Sequence, residues 1–172
     1  KMKKTTISLL TAGLLFVSGL KAQTIQEGMN HLYADRFTSA TGVFEKLLAA
    51  NPNNMEAVYW LGQTYFDMDD NAKARQLFEK ALATNGSSPL ILVGLGHADL
   101  LENKVNDARQ KFEAAITAAT AGKKGPDPAV LTAIGRANVD AKSGDFNYAI
   151  EKLNQAAEKA DKNTETLLQL GN

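Results

Sequence analysis

The chain has 172 residues and no cysteine, enough for one folded unit, and it excludes disulfides, thiolate metal sites, a cysteine nucleophile and a lipidated N-terminal cysteine. Its formal net charge is zero, but Lys1, Lys3, Lys4 and Lys21 all lie in residues 1–22, which carry no acid. The remainder has 15 basic against 19 acidic residues, a net of −4. That balance argues against nucleic acid as the partner, because phosphate binding needs clustered Lys and Arg.

The chain opens with "KMKKTT", then "ISLLTAGLLFVSGL", then "KAQ". A basic start, an uncharged apolar run and a small residue before a polar one are the layout of a secretory signal peptide, with cleavage expected between Ala22 and Gln23. The rival reading is a membrane anchor, for which a run of 14 residues is short against the roughly 20 that a span needs. The expectation is therefore an exported protein of the periplasm or cell envelope, with no stable membrane insertion after cleavage.

From Gln23 onward, apolar residues recur three and four apart, which predicts paired amphipathic helices and no strands. Gly28, Gly62 and Gly96 are spaced by 34 residues, and so are Ala40, Ala74 and Ala108, and Phe44, Phe78 and Phe112. A fixed period of this length marks stacked helical repeats. The units read as 23–54, 55–88, 89–120 and 128–163, with a connection at 121–127. "DMDDN", "LENK" and "SGD" are the turns inside units, and Pro52 and Gly86 end second helices. Two departures break the period. "AGKKGPD" at 121–127 adds five residues, and "AKSGDF" lengthens the turn of the fourth unit by two. Each is either a plain loop extension or a partner contact. Residues 164–172, "TETLLQLGN", open a fifth unit and stop on apolar residues, where a solenoid would end on a polar cap. They read as the start of a truncated fifth unit, or else as a short capping helix.

At Leu61, Gly62, Tyr65, Ala74, Phe78 and Ala81 the chain resembles the tetratricopeptide repeat family, of an exported bacterial type, and the resemblance spans residues 23–172. The first unit departs from the pattern, with Glu27 where Leu is usual and His31 where Tyr is usual. The resemblance implies an all-α fold, an α-solenoid of antiparallel helix pairs wound into a right-handed superhelix. It also implies a concave groove lined by the first helix of each unit. Carried onto this chain, the groove positions are Met29, Leu32 and Tyr33; Glu56, Tyr59, Gln63, Phe66 and Asp67; Leu90, Val93, His97, Leu100 and Leu101; and Thr132, Arg136, Val139 and Asp140. Trp60 stands at the rim.

Tyr59, Phe66, Val93 and Leu100 make this list apolar for a water-facing surface, as expected of a groove that takes a protein partner. The alternative is that tight curvature buries the strip between neighbouring helices. Members of the family that clamp a terminal carboxylate use Lys, Asn and Arg at these positions. Here only Arg136 offers a cation, so that function is not expected.

No motif for chemistry survives inspection. "DMDDN" begins like a calcium loop, but the required Gly and Glu are Ala72 and Phe78, so it reads as a helix turn with a capping Asp. "GLGHAD" lacks the third Gly of a dinucleotide fingerprint and sits in a helical pattern, and "GKKG" lacks phosphate-loop spacing. His31 and His97 each stand without a second ligand one turn away. No acid pair sits beside a nucleophile, so no catalytic residue, cofactor or metal is expected.

The functional expectation is an exported adaptor that binds an extended or helical segment of another envelope protein in the groove. Three rivals remain: a non-catalytic arm of a larger envelope enzyme or wall-binding protein, a self-assembling structural protein, and a small-ligand site at Tyr59, Trp60 and Arg136.

Overall fold

A computed structural model describes residues 24–121 and 125–159. The expected signal peptide, residues 122–124 of the 121–127 connection, residues 160–163 of the fourth unit and the expected fifth unit lie outside the described residues. Those described form eight α-helices and no strand: α1 Ile25–Leu32, α2 Phe37–Ala50, α3 Met55–Asp67, α4 Asn71–Asn85, α5 Pro89–Leu101, α6 Val105–Thr120, α7 Pro128–Asp140 and α8 Phe146–Lys159. The chain is an all-α solenoid of helix pairs.

Local chemistry sets where the helices start. The side chains of Thr24, Asn54, Asp70 and Asp127 accept hydrogen bonds from Glu27 N, Ala57 N, Lys73 N and Ala129 N, satisfying amide groups that a helix start leaves unpaired. Pro89 and Pro128 sit in the first turn, where a missing N–H costs nothing.

The first three intra-unit turns are built alike. Asp35, Asp69 and Asn103 adopt φ of 54°, 58° and 60°, a left-handed conformation that Asp and Asn tolerate. Each donates its N–H to the carbonyl three residues back, on Leu32, Phe66 and Leu100. The following residues, Arg36, Asp70 and Lys104, donate to His31, Tyr65 and Asp99. The longer fourth turn is built otherwise: Gly144 N donates to Ala141 O, and Asp145 N to the Asn138 side chain. A Cβ at Gly144 would run into the Asn138 carbonyl.

The spaced glycines and phenylalanines interlock. Phe44 covers Gly28, Phe112 covers Gly96, and Leu153 covers Gly135. Phe78 is held between two glycines, Gly62 on α3 and Gly94 on α5, and a Cβ at either would meet three of its ring atoms inside 3.0 Å. The missing side chains let paired helices approach, and the rings fill the space at interior density. The second helices bury one stripe each: Ala40 and Phe44; Ala74, Phe78 and Ala81; Ala108, Phe112 and Ala115; Ala149, Leu153 and Ala156. The first helices of the second and fourth units are buried nearly all round, without a break from Ala57 to Phe66 on α3 and from Val130 to Asn138 on α7, whereas α1 buries only Gly28 and Leu32.

Charged clamps join successive units. Asp99 on α5 is buried and ion-paired to Arg75 of α4 at 2.8 Å and Lys111 of α6 at 2.5 Å. One period on, Arg109 pairs with Asp145 at 2.8 Å and lies 3.4 Å over the Tyr148 ring, whose hydroxyl donates to Glu113.

The junction of the third and fourth units departs from this regularity. α5 packs more extensively on α4 than on α3, whereas α7 packs more extensively on α5 than on α6. A cleft of about 290 Å³, lined by Leu90, Ala118, Ala119 and Val130 among others, opens where α6 and α7 would otherwise meet. α7 thus leans inward over α5, toward the inner face of the solenoid.

Candidate functional site

The inward lean of α7 decides what the concave face looks like. Arg136, in the middle of α7, reaches across to the first two units. Its Nη1 donates to the Tyr33 hydroxyl at 3.1 Å, bridging 103 residues of chain. Its Nε donates to Asp140 at 3.2 Å, and Nη2 lies 3.9 Å from the Asp67 carboxylate. The guanidinium stands 5.1 Å over the Trp60 ring and 5.4 Å over that of Tyr33. Trp60 in turn meets Tyr59 and Tyr33 edge-on, at 5.3 and 6.2 Å. A planar cation suits this place, since it stacks on aromatic faces while its edge serves several acceptors.

The expected groove residues therefore do not form an open trough. Leu32, Tyr59, Gln63, Phe66, Val93, His97, Leu100 and Arg136 are buried, as is Trp60. Met29 and Val139 are half-buried, and Tyr33, at 46 % exposure, faces water. The water-facing strip expected of Tyr59, Phe66, Val93 and Leu100 is thus corrected: these side chains fill the interior of a tightly curved stack. Of the two readings open from the sequence, burial by tight curvature is the one that holds, with α7 closing over α5.

Beneath Arg136 runs a polar row at equivalent positions of successive units, Gln63 and His97. Among the described residues, neither Gln63 Nε2 nor His97 Nδ1 has a hydrogen-bond partner. His97 stacks against Phe66 at 4.6 Å. Burial, and then the nearby Arg136 charge, push its pKa down to about 3, so it is a neutral imidazole. Burial also raises the Asp67 pKa, and Asp140 and Asp35 add to the rise while Arg136 opposes it. His31 lies apart, at the end of α1, where its Nδ1 accepts from Arg36 Nε at 3.0 Å.

What remains open on the concave side is a pocket of about 170 Å³, framed by Met29, Tyr59, Trp60, Leu90, Thr132 and Arg136, with Glu56 at its edge. Its walls are mainly apolar and aromatic, and its volume fits one large side chain. Sequence reasoning placed Tyr59, Trp60 and Arg136 near one another, but it did not find Ala129 and Ala133 of α7 as the opposite wall. The only signal for them was the 39-residue spacing from Gly96 to Gly135, which marks the displaced unit. Among the described residues no cluster of three or more His, Asp or Glu side chains is placed to hold a metal ion, and no helix is long and apolar enough to cross a membrane.

Helix pairs repeating at 34 residues and stacked through glycine–phenylalanine contacts define the class: a helical-repeat scaffold for protein–protein interaction. The family described as Tetratricopeptide repeat matches residues 25–89 and 62–123, together more than half of the chain. The chain belongs to the tetratricopeptide repeat family. Among solved structures it is similar to MamA, with 23 % identity over 76 % of this chain and 72 % of that one and a TM-score of 0.44. It is also similar to MamA from Desulfovibrio magneticus RS-1, with 19 % identity, 78 % and 72 % coverage and a TM-score of 0.46. The thermophilic TPR protein TTC0263 of Thermus thermophilus shares 16 % identity over 84 % of this chain and 94 % of its own, with a TM-score of 0.47. No curated protein matches the sequence.

Proposed function

We propose that the chain is an exported adaptor that captures a segment of another envelope protein by seating one large apolar or aromatic side chain in the concave pocket. The observation that carries this reading is the pocket itself. Tyr59, Trp60 and Met29 face Thr132 and Arg136 across a gap of about 170 Å³ at the open side of the stack. Buried aromatic and arginine walls are the usual energetic centre of a protein interface. Export is supported by the signal-like order of residues 1–22, and the mature chain would begin at Gln23. The mechanism is recognition without chemistry.

The test is a crosslinked pull-down from the native envelope, comparing the parent with a Glu56→Lys/Leu90→Ser variant. Glu56 is exposed and Leu90 half-buried, so both can change while the fold stays. Tyr59 and Leu100 are unsuitable, because a charge at either buried site would unfold the stack. A protein recovered by the parent and lost by the variant supports the pocket. Identical recoveries refute it.

A further inference from the structure

Among the described residues, large apolar side chains that stay exposed are few, and they are not scattered. Tyr33, Met68, Leu101, Val105 and Phe146 are 36 to 61 % exposed. Every one lies at an intra-unit turn: Tyr33 and Met68 cap α1 and α3, Leu101 ends α5, Val105 starts α6 and Phe146 starts α8. A sixth, Ile150, lies on α8 away from the turns, at the place equivalent to Arg75 and Arg109, from which those residues reach the following unit. The other five share one long edge of the solenoid. Adding units extends a stack along its axis and leaves that edge bare.

The same edge carries the acidity of the protein. The four turns, residues 33–37, 67–71, 101–105 and 140–146, hold seven carboxylates and three cations, a net of −4. Counting Arg75, Arg109 and Arg136, which reach these turns from the helices, the balance is −1, so the acidity left uncompensated is that of Asp35, Asp69 and Asp70. On the opposite edge, residues 51–54 and 86–88 carry no charge. Within the acidic edge, Arg75, Arg109 and Arg136 reach over to Glu102, Asp145 and Asp140. Asp35, Asp69 and Asp70 make no ion pair among the described residues, and all three are exposed. Met68, 46 % exposed, is flanked in sequence by Asp67, Asp69 and Asp70, all exposed, with Asp67 facing Arg136 and Asp70 capping α4.

The edge also has a recess. The lengthened fourth turn is tied to the third, where Ser143 Oγ donates to the Leu100 carbonyl at 2.5 Å. Between these turns opens a cleft of about 420 Å³ with Leu100, Leu101 and Lys142 in its walls. The two residues added to this turn thus build a feature that the regular turns lack.

We propose that this turn edge is a second docking surface, for a basic amphipathic segment of a partner protein. Its apolar side chains cover Leu101, Val105 and Phe146 and enter the cleft beside Leu101. Its Lys and Arg side chains lie over the first two turns, where Asp35, Asp69 and Asp70 are exposed and make no ion pair among the described residues. Charge complementarity selects this occupant. The local field draws cations and repels acidic segments and anionic lipid. The edge adjoins the concave cluster at Tyr33, Asp67 and Asp140, so a variant in the concave pocket is needed to tell the two sites apart.

The test uses the full chain and a fluorescent amphipathic peptide of Leu and Lys at helical spacing, read by anisotropy at low and high salt. The parent binds, and binding weakens with salt. Met68→Ser/Phe146→Ser removes two exposed anchors and weakens binding about tenfold, with the far-ultraviolet spectrum unchanged. Asp69→Asn, which leaves the apolar surface intact, weakens binding at low salt only. Leu90→Ser, in the concave pocket, leaves the affinity unchanged. No binding, equal binding by Met68→Ser/Phe146→Ser, or equal binding of a Leu and Glu peptide overturns the proposal. Loss of binding in Leu90→Ser places the peptide in the concave pocket and also overturns it. A concentration-dependent dimer in sedimentation that Met68→Ser/Phe146→Ser abolishes would give the edge to a second copy instead.

Discussion

Two glycines in this solenoid make opposite predictions for the same substitution. Gly62 faces the Phe78 ring, and an added methyl would meet three ring atoms inside 3.0 Å. The ring cannot retreat, because Gly94 holds its other side equally closely. Forcing a methyl into a filled interior costs about 3 kcal/mol when the neighbours cannot move. Replacing glycine within a helix returns about 1 kcal/mol of helix propensity. Gly62→Ala is therefore expected to lose about 2 kcal/mol, lowering the melting temperature by roughly 4–8 °C for a chain of this size. Gly42, in the middle of α2, meets nothing within 4 Å, so Gly42→Ala keeps only the propensity gain of about 0.5–1 kcal/mol. Urea unfolding of both variants, followed by circular dichroism, measures the difference. Phe78→Leu in the Gly62→Ala background should recover part of the loss, since neighbouring sites couple. If Gly62→Ala matches or exceeds the parent, or if both alanines shift stability the same way, the interlocking of glycine and ring does not hold the units together.

The other predictions concern the charged and polar interior. His97 has a folded pKa near 3 against 6.5 when unfolded, so the unfolded chain takes up the proton first as pH falls. The stability that its neutral burial contributes is complete above pH 6.5 and is lost as pH drops toward 3; at pH 5 the loss is about 2 kcal/mol. His97→Gln should flatten the dependence of the urea midpoint on pH over that window. Asp99→Asn leaves Arg75 and Lys111 without their shared carboxylate, but both cations are partly exposed and can rehydrate, so a loss of about 1–2 kcal/mol in urea unfolding is expected. Gly144→Ala drives a Cβ into the Asn138 carbonyl, and the fourth unit should unfold at lower urea than the first three, seen as faster amide exchange in α7 and α8. Arg136→Met keeps the aliphatic stem but releases Tyr33, and should shift Trp60 emission to the red and speed exchange in α1 more than in α5.

The parts of this fold that were legible in the sequence are those in which one residue type must recur at one offset. Gly28, Gly62 and Gly96 lie opposite Phe44, Phe78 and Phe112 because only a missing side chain admits the ring. That constraint writes a period of 34 into the chain. Asp70 capping α4 was legible for the same local reason, since the bond spans three residues. Burial of the inner strip was not. Whether Val93 or Leu100 meets water depends on the curvature of the whole stack, and curvature here follows from where α7 settles between α5 and α6. The bond that holds the result, from Arg136 to Tyr33, spans 103 residues, and no window of sequence contains it. The exposed turn edge was hidden differently. Tyr33, Leu101 and Phe146 each look like ordinary apolar residues of a helix end, and their common edge emerges only once the units are stacked.

Regular repeats build a surface, and the breaks in regularity give it a particular shape. Met29, Gln63, His97 and Arg136 occupy equivalent places in the four units, and the largest and only permanently charged one is in the unit that the inserted residues displace. The insertion alone would leave α7 free to take several positions over α5. Without the lean of α7, Arg136 would keep Asp140, one turn along its own helix, but not Tyr33 of the first unit. Together they fix the fourth unit against the first two, with Asp67 and Asp140 balancing the charge and Trp60 and Tyr33 supplying the faces on which it stacks. A buried arginine in such a cluster repays little more than its own desolvation, so its main effect is on register. The gap between Trp60 and Thr132 is set by that register, and the gap is the pocket. It follows that substitutions at Arg136 or in 121–127 should alter which side chain the pocket accepts before they alter whether the protein folds, whereas substitutions at the glycine–phenylalanine contacts should do the reverse.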